Sequence, residues 1–201
     1  MNDKIHLSFE QLISKSIPDL IPPKEHPKPQ YDFGVAYPDP ESIPIPELIN
    51  SLSTGLEEEG KDLAFYPHPD GYTPLREFVS KKLSLERNID IGPEQIILTD
   101  GSLESIYTVS EVLIDKGDVV LTEKYAYSGT LRIFKRFNAQ VIGVECDQFG
   151  MIPSDLEKKI IAIKNSRKKI KLLYTIPTFQ NPLGFCVPES RRIELLSITQ
   201  T

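Results

Sequence analysis

The sequence lacks the residues that mark several classes of protein. Its two cysteines, Cys146 and Cys186, are too few for a disulfide framework or a cysteine zinc site. No apolar run approaches the ~20 residues that cross a membrane, and the first residues have no signal-peptide core. The 29 acidic residues outnumber the 23 basic ones, and the net charge of −6 argues against a nucleic-acid surface. These absences predict a cytoplasmic protein with no metal, nucleic-acid or membrane partner.

The remaining composition is that of a soluble globular protein, with 39% hydrophobic and 26% charged residues. Prolines interrupt residues 1–30, so we expect an irregular N-terminal arm there and a folded domain over residues 31–201. One helix is predicted from Pro46 to about Glu59. A second is predicted to follow, with Thr73 as its N-cap and Pro74 as its first helical residue.

From residue 95 onward, strand patterns alternate with helix patterns. Four strands are predicted, at Gln95–Thr99, Val119–Thr122, Ala139–Glu145 and Leu172–Ile176. Helices are predicted from Leu103 to about Asp115, from Tyr127 to Phe137, from a capping box at Ser154 to about Asn165, and from Glu189 onward. Alternation of this kind indicates an α/β fold in which a parallel sheet is covered by helices.

Three stretches with candidate chemistry directly follow predicted strands, where ligands of open α/β sheets bind. At Gly101 and Ser102, a strand turns into a helix, and backbone N–H groups with a hydroxyl suit a phosphate. A plain turn with Ser102 as the helix cap fits the local pattern equally well. In the stretch from Glu123 to Gly129, an aromatic ring can stack on a flat ligand or simply pack over the sheet edge.

The third stretch is the turn that contains Asn181. Its amide can donate a hydrogen bond to a phenolate-type oxygen without adding charge, although a tight turn with no binding role would look the same. A fourth candidate, Tyr66 with Gly71 and Arg76, lies earlier in the chain. Its alternative interpretation is a loop tyrosine beside an arginine on a helix surface. The order of all four along the chain is more specific than any one of them.

Taken together, these motifs resemble the fold-type I pyridoxal-phosphate enzymes of the class I/II aminotransferase family, most closely the aromatic and 2-aminoadipate branch. The resemblance extends from about residue 30 to the end of the chain. It implies the N-terminal part of the large domain of that fold, a mainly parallel sheet with helices on both faces, without the later strands and the small domain. It also implies pyridoxal 5′-phosphate as cofactor, an α-amino acid and a 2-oxo acid as substrates, and a homodimer as the full-length form.

The resemblance further implies which residues contact the cofactor. Gly101, Ser102 and Leu103 match the turn that binds phosphate through backbone amides. Tyr127 matches the tyrosine that stacks on the pyridine ring, because the family has Glu-x-Pro-x-Tyr there and Glu123 stands at that spacing. In this chain the proline of that motif is replaced by tyrosine.

Four other positions complete the implied site. The family's Pro-x-x-Gln-Asn-Pro-Thr-Gly is matched around Asn181, whose amide would hold the oxygen on the cofactor ring. Tyr66 matches a tyrosine that commonly reaches the cofactor phosphate of the partner subunit. Gly34 and Tyr37 lie in a stretch similar to the segment that closes over the substrate.

The family's catalytic lysine has no counterpart in this chain. In the family, the lysine that holds the cofactor as an imine and moves the proton follows the Asn-Pro turn, as do the acidic partner of the pyridine nitrogen and the substrate arginine. Here the last lysine is Lys171 and the last aspartate is Asp155, both before that turn. We therefore expect an N-terminal portion of an aminotransferase, by truncation or a split gene, that is inactive alone.

Two alternatives remain open at this point. One is a non-catalytic fragment that binds pyridoxal phosphate or pairs with a longer subunit. The other is an unrelated α/β binding domain. A transcription regulator with an aminotransferase-like domain is disfavoured, because residues 1–30 are too short and too rich in proline for a helix-turn-helix.

Overall fold

A computed structural model describes Gln30 and residues 37–200. The chain divides into two compact units, residues 1–93 and residues 94–201. The expected irregular arm over residues 1–30 lies outside the described residues apart from Gln30. None of the helices in the described part is both long enough and apolar enough to cross a membrane.

The first unit contains two long helices, α1 (Ile45–Glu59) and α2 (Thr73–Arg87). Thr73 is not the N-cap that the sequence predicts, because α2 begins at Thr73 itself and follows Tyr72. The Thr73 hydroxyl accepts a hydrogen bond from the Arg76 guanidinium at 3.0 Å. A side chain three residues further along the same helix thus takes the oxygen that would have capped the helix.

The second unit alternates helices and strands. Its elements are α3 (Ser102–Leu113), β1 (Val119–Glu123), α4 (Ser128–Arg136), β2 (Gln140–Val144), β3 (Cys146–Asp147), β4 (Gly150–Met151), α5 (Pro153–Asn165), β5 (Ile170–Tyr174) and α6 (Glu189–Thr199). Strands β2, β1 and β5 form a parallel sheet in that order. Strands β3 and β4 form a small antiparallel ribbon.

Strand β1 lies at the centre of the sheet and is buried along its whole length. Leu121 belongs to a cluster that includes Leu156 of α5 and Leu195 of α6. Its neighbour Val120 belongs to a separate cluster with Phe134 of α4. Since successive side chains of a strand point to opposite faces, helices cover both faces of the sheet. The predicted α/β class with a parallel, helix-covered sheet is confirmed.

The predicted strand Gln95–Thr99 is wrong for the described part of the chain. Pro93–Gln95 is a 3-10 turn, and residues 96–99 pair with no described strand. A strand is held by hydrogen bonds to a neighbour, which an apolar pattern alone does not supply. The parallel sheet consequently has three strands in this part of the chain, where four are predicted.

The capping box predicted at Ser154 is also wrong. Helix α5 begins one residue earlier, at Pro153, and has no side-chain cap. In the first turn of this helix, the Asp155 carboxylate accepts a hydrogen bond from the backbone N–H of Glu145 at 2.8 Å. This bond ties the start of α5 to the residue that follows β2.

Candidate cofactor-binding site

The carboxyl ends of the parallel strands set the position of the candidate site. Strands β1 and β5 are direct neighbours and end at Glu123 and Tyr174. The loop β1–α4 (residues 124–127) and the loop β5–α6 (residues 175–188) therefore leave the sheet side by side. They lead to Tyr127 and Asn181, two of the residues singled out from the sequence.

The N-terminus of α3 is open. Gly101 precedes the helix with φ of 83°, and no atom stands within 4 Å of the point where its Cβ would be. The first N–H groups of a helix have no partner within it, and here they belong to Ser102 and its successors. The Glu104 carboxylate accepts the N–H of Asp100 rather than one of theirs. Such an end, with its partial positive charge, suits a phosphate.

Ser102 is not the helix cap, the role that the alternative interpretation gave it. It is the first residue of α3, and its predecessor makes no side-chain cap bond. Its side chain is exposed at the open helix end. The hydroxyl can therefore add a hydrogen bond to an anion held by the backbone N–H groups.

The side chains of Tyr127 and Leu103 both lie against Gly129. A Cβ built on Gly129 would stand 2.5 Å from Cε1 of Tyr127 and 3.2 Å from Cδ2 of Leu103. Only glycine leaves room for the ring in this position. The start of α3 and the residue before α4 are thereby brought together, while Tyr127 stays 38% exposed. This arrangement places an aromatic ring close to the open helix end.

Asn181 is exposed in a tight turn of the loop β5–α6. Gln180, which precedes it, is 2% exposed. Its N–H donates to the carbonyl of Phe185 at 2.9 Å, and its own carbonyl accepts from the N–H of Gly184 at 2.6 Å. The Asn181–Pro182 peptide bond is cis. The Asn181 amide is thus presented on a turn whose backbone is fixed on both sides.

A buried carboxylate joins the two loops. Glu123 is 1% exposed and accepts hydrogen bonds from the Thr175 hydroxyl at 2.5 Å and the Ile176 N–H at 2.9 Å. The Gln180 amide lies 3.5 Å from the same carboxylate and donates to the carbonyl of Tyr125 at 2.7 Å. The turn that carries Asn181 is therefore attached to the loop that leads to Tyr127.

Arg192 of α6 holds the other side of the loop β5–α6. Its guanidinium donates to the carbonyl of Val187 at 2.8 Å and to the carbonyl of Pro177 at 3.1 Å. It also donates to the Thr178 hydroxyl at 3.2 Å. One side chain thus connects the beginning and the end of the loop.

The remaining predicted residues belong to the first unit or fall outside the described residues. Tyr66 and Tyr37 are both highly exposed, at 102% and 82%. Gly34 lies outside the described residues. Arg76 is not on the helix surface, as the alternative interpretation had it. It is 5% exposed and donates to the carbonyls of Gly71 at 3.1 Å and Pro93 at 3.0 Å.

Sequence reasoning missed the roles of Glu123, Gln180 and Gly129. In the sequence analysis, Glu123 was used only to match the motif that contains Tyr127, and Gln180 was only part of the motif that contains Asn181. An acidic residue at the end of an otherwise apolar buried strand is a usable signal, because burying a carboxylate is costly unless donors surround it. The glycine beneath Tyr127 has no comparable signal in a single sequence.

The lysines near the sheet are poorly suited to form an imine. Lys171, near the start of β5, lies 3.6 Å from the Asp118 carboxylate at the amino edge of the sheet. Lys124 follows β1 at the carboxyl edge, but its Nζ lies 2.8 Å from the Glu145 carboxylate. The hydrogen bond and charge of Glu145 raise the pKa of Lys124. A lysine held protonated is not a nucleophile.

The donor set of the site fits pyridoxal phosphate. A flat, anionic ligand would find an anion-binding helix end, an aromatic ring and a neutral amide. These groups can bind and orient such a ligand. The described residues of this site contribute no free nucleophile to react with it.

The sequence matches the family of class I and II aminotransferases over residues 32–201. It is 33% identical over 162 residues to aromatic-amino-acid aminotransferase 1 of Thermococcus litoralis, which covers 80% of this chain and 39% of that protein. The chain thus spans well under half the length of the curated relatives it matches.

Solved structures show the same relationship. The crystal structure of an archaeal alanine:glyoxylate aminotransferase superposes with a TM-score of 0.75 and 37% identity, covering 81% of this chain and 40% of that one. The α-aminoadipate aminotransferase of Thermus thermophilus, complexed with N-(5′-phosphopyridoxyl)-L-leucine, gives a TM-score of 0.79 at 26% identity. It covers 96% of this chain and 48% of its own.

Proposed function

The chain belongs to the class I and II aminotransferase family, and on that premise we propose that it is the cofactor-holding portion of a pyridoxal-phosphate-dependent aminotransferase. The main support is that the side chains of Leu103 and Tyr127 both lie against Gly129, which places an aromatic ring near an open helix end. Pyridoxal 5′-phosphate is the cofactor that this family membership implies.

In the proposed site, the open end of α3 holds the phosphate. The N–H groups of Ser102 and Leu103 donate to its oxygens, and the Ser102 hydroxyl adds a further hydrogen bond. Gly101 has no Cβ, so the phosphate can approach the backbone closely. The geometry of the helix end supports this assignment.

The two loops orient the ring. Tyr127 offers the exposed part of its ring for stacking, and the Asn181 amide donates to the ring oxygen. When bound, the cofactor acts as an electron sink for carbon–hydrogen bond cleavage next to an amino group. The residues of this chain bind and orient it, and we propose no proton transfer by any of them.

We propose that the 201-residue chain has no transaminase activity by itself. Lys124 is paired with Glu145 and Lys171 with Asp118, so neither suits the role of the imine-forming lysine. In the complete enzyme, an α-amino acid and a 2-oxo acid would be the substrates, with Gly34 and Tyr37 near them. The exposed ring of Tyr66 is consistent with a contact to the cofactor phosphate of a partner subunit in a homodimer.

Pyridoxamine phosphate is the ligand that tests this proposal. It has no aldehyde, so it cannot form imines with surface lysines. Its binding therefore depends only on the non-covalent contacts proposed for the site. Titration of the isotopically labelled chain should show saturable NMR shifts at the amides of Ser102 and Leu103. The Ser102→Ala variant should bind about tenfold more weakly, because it loses a hydrogen bond to a charged group.

Ser154→Ala is the matched control, because Ser154 is also exposed in the first turn of a helix, α5. It should leave the affinity unchanged. Absence of saturable binding, or an equal loss in both variants, would contradict the proposed site. Turnover by the pure chain with any amino donor would contradict the proposed inactivity.

A second candidate function is a non-catalytic fragment that pairs with a longer subunit. The observation in its favour is the apolar face of α1, where Leu48, Ile49, Leu52 and Leu56 are each at least 50% exposed. Sedimentation of the pure chain, taken together with the pyridoxamine phosphate titration, distinguishes the two functions. Self-association that Leu52→Asp abolishes, without any pyridoxamine phosphate binding, would favour the pairing function.

A further inference from the structure

The two loops that carry the proposed ring contacts are joined by one buried side chain, Glu123. We infer that Glu123 is a positioning residue that sets the distance between the ring of Tyr127 and the amide of Asn181. This inference rests on the proposed function. It adds to the site a residue that does not itself contact the cofactor.

Both carboxylate oxygens of Glu123 are directed to the loop β5–α6. Oε1 accepts from the Thr175 hydroxyl at 2.5 Å and from the Ile176 N–H at 2.9 Å. Oε2 faces Nε2 of Gln180 at 3.5 Å. The Ile176 N–H and the Gln180 NH₂ group can only donate, and the Thr175 hydroxyl can donate as well, so a carboxylate, which carries no hydrogens, suits all three.

Gln180 connects Glu123 to the two residues proposed to contact the cofactor ring, Tyr127 and Asn181. Its Nε2 donates to the carbonyl of Tyr125 at 2.7 Å, and its Oε1 accepts the N–H of Leu183 at 2.7 Å. Tyr125 precedes Tyr127 by two residues, and Gln180 directly precedes Asn181. A shift of the Gln180 side chain would therefore move the stacking ring and the amide relative to each other.

The other end of β1 shows that a buried acid can be accommodated differently. Asp118, which precedes β1, is 8% exposed and lies 3.6 Å from the Lys171 ammonium. Within residues 37–200, Glu123 has no basic side chain at ion-pair distance. Its neutral donors are directional, so they fix the loop in space as well as satisfying a buried charge.

Glu123→Gln and Asp118→Asn are the matched variants, because each converts a buried acid at one end of the same strand into its amide. In Glu123→Gln, the new NH₂ group must face the N–H of Ile176 or the NH₂ group of Gln180. Neither can accept a hydrogen bond, so the loop should shift. We expect the Kd for pyridoxamine phosphate to rise about tenfold. The Kd for inorganic phosphate, read from the Ser102 amide, should stay within roughly twofold, because the phosphate site lies on α3 and not on the two loops.

Asp118→Asn should lower the thermal midpoint yet leave both Kd values unchanged. If Glu123→Gln left the Kd for pyridoxamine phosphate unchanged, or raised both Kd values in equal proportion, the inference would be overturned. A purely structural role for Glu123 predicts the second of these outcomes. Thr175→Val removes only one of the donors, so it should raise the Kd for pyridoxamine phosphate less and leave the Kd for inorganic phosphate unchanged. This variant replaces Glu123→Gln in the test if Glu123→Gln does not fold.

Failure of the proposed function can be told apart from failure of this inference. If the wild-type chain binds no pyridoxamine phosphate, the proposed function is wrong. The loop attachment is then read in the ligand-free chain by hydrogen exchange of the Ile176 amide and the Gln180 side-chain amide. Faster exchange of both in Glu123→Gln, but not in Asp118→Asn, supports the attachment. Unchanged exchange overturns it.

Discussion

The two units of the chain bury their side chains to very different extents. In the second unit, β1 is fully buried and apolar clusters cover both faces of the sheet. Among residues 37–93 of the first unit, Arg76 is the one buried side chain, and the apolar residues of α1 are exposed. Most helices in proteins owe their stability to tertiary packing. We therefore expect the free energy of unfolding to reside mainly in the second unit.

Phenylalanine truncation tests this difference with the largest expected effect. Phe134 is 2% exposed and packs against the Tyr174 ring, with centroids 5.7 Å apart. Phe134→Ala should lower the free energy of unfolding by about 3–5 kcal/mol because it leaves a cavity. Phe78→Ala in α2, where the ring is 60% exposed, should change it by less than about 0.5 kcal/mol. Urea titration followed by circular dichroism measures the free energy of unfolding of both variants. Equal losses in Phe134→Ala and Phe78→Ala would contradict the expected difference between the two units.

Glycine substitution should have opposite signs in the two units. Gly55 in α1 has no atom within 4 Å of its missing Cβ, so Gly55→Ala should stabilise by about 0.5–1 kcal/mol through helix propensity. In Gly129→Ala, the new Cβ would collide with the Tyr127 ring. That variant should destabilise by about 1–3 kcal/mol and weaken pyridoxamine phosphate binding. Stabilisation by Gly129→Ala would mean that the ring moves aside without cost.

Acid sensitivity is the smallest of the three effects. Burial alone would raise the pKa of the Asp155 carboxyl, but the hydrogen bonds from Lys159 and from the Glu145 N–H outweigh it and lower this pKa. A carboxyl with a lowered folded-state pKa contributes stability above its unfolded-state pKa, and the contribution is lost as pH falls through the folded-state value. Asp155→Asn should therefore reduce stability at neutral pH, by less than about 1 kcal/mol.

Thermal melts at neutral pH and in acid, at a pH below the folded-state pKa of Asp155, measure this effect. The difference in Tm between wild type and Asp155→Asn should disappear in acid. The exposed Asp90 of the first unit provides the control, and Asp90→Asn should leave Tm unchanged under both conditions. A deficit of Asp155→Asn that persists in acid would show that its cause is not the ionised carboxylate.

Sequence patterns predicted best the features that depend on neighbouring residues alone. The apolar run of β1 and the glycine before α3 formed where predicted, since period and backbone freedom are local properties, although the strand predicted before that glycine did not form. Predictions failed where a distant partner decides the outcome. Asp155, in the first turn of α5, bonds to the N–H of Glu145, ten residues away, which the local pattern does not indicate. The buried guanidinium of Arg76 donates a hydrogen bond to the carbonyl of Pro93, 17 residues away.

The same distinction applies to the candidate site. The rule that the carboxyl ends of parallel strands share an edge predicted that the Asn181 turn and the loop β1–α4 lie at the same edge of the sheet. The role of Glu123 did not, because its partners Thr175 and Gln180 lie 52 and 57 residues away along the chain. Only the register between β1 and β5 brings them together.

The contact of Arg192 with the loop β5–α6 has a consequence for how the chain can be shortened. All the residues proposed to touch the cofactor lie at or before Asn181, so a boundary soon after that turn would keep every one of them. Such a boundary would nevertheless remove the guanidinium that connects Pro177, Thr178 and Val187. A shortened chain that keeps this loop connected therefore includes the first turn of α6 and ends no earlier than Arg192.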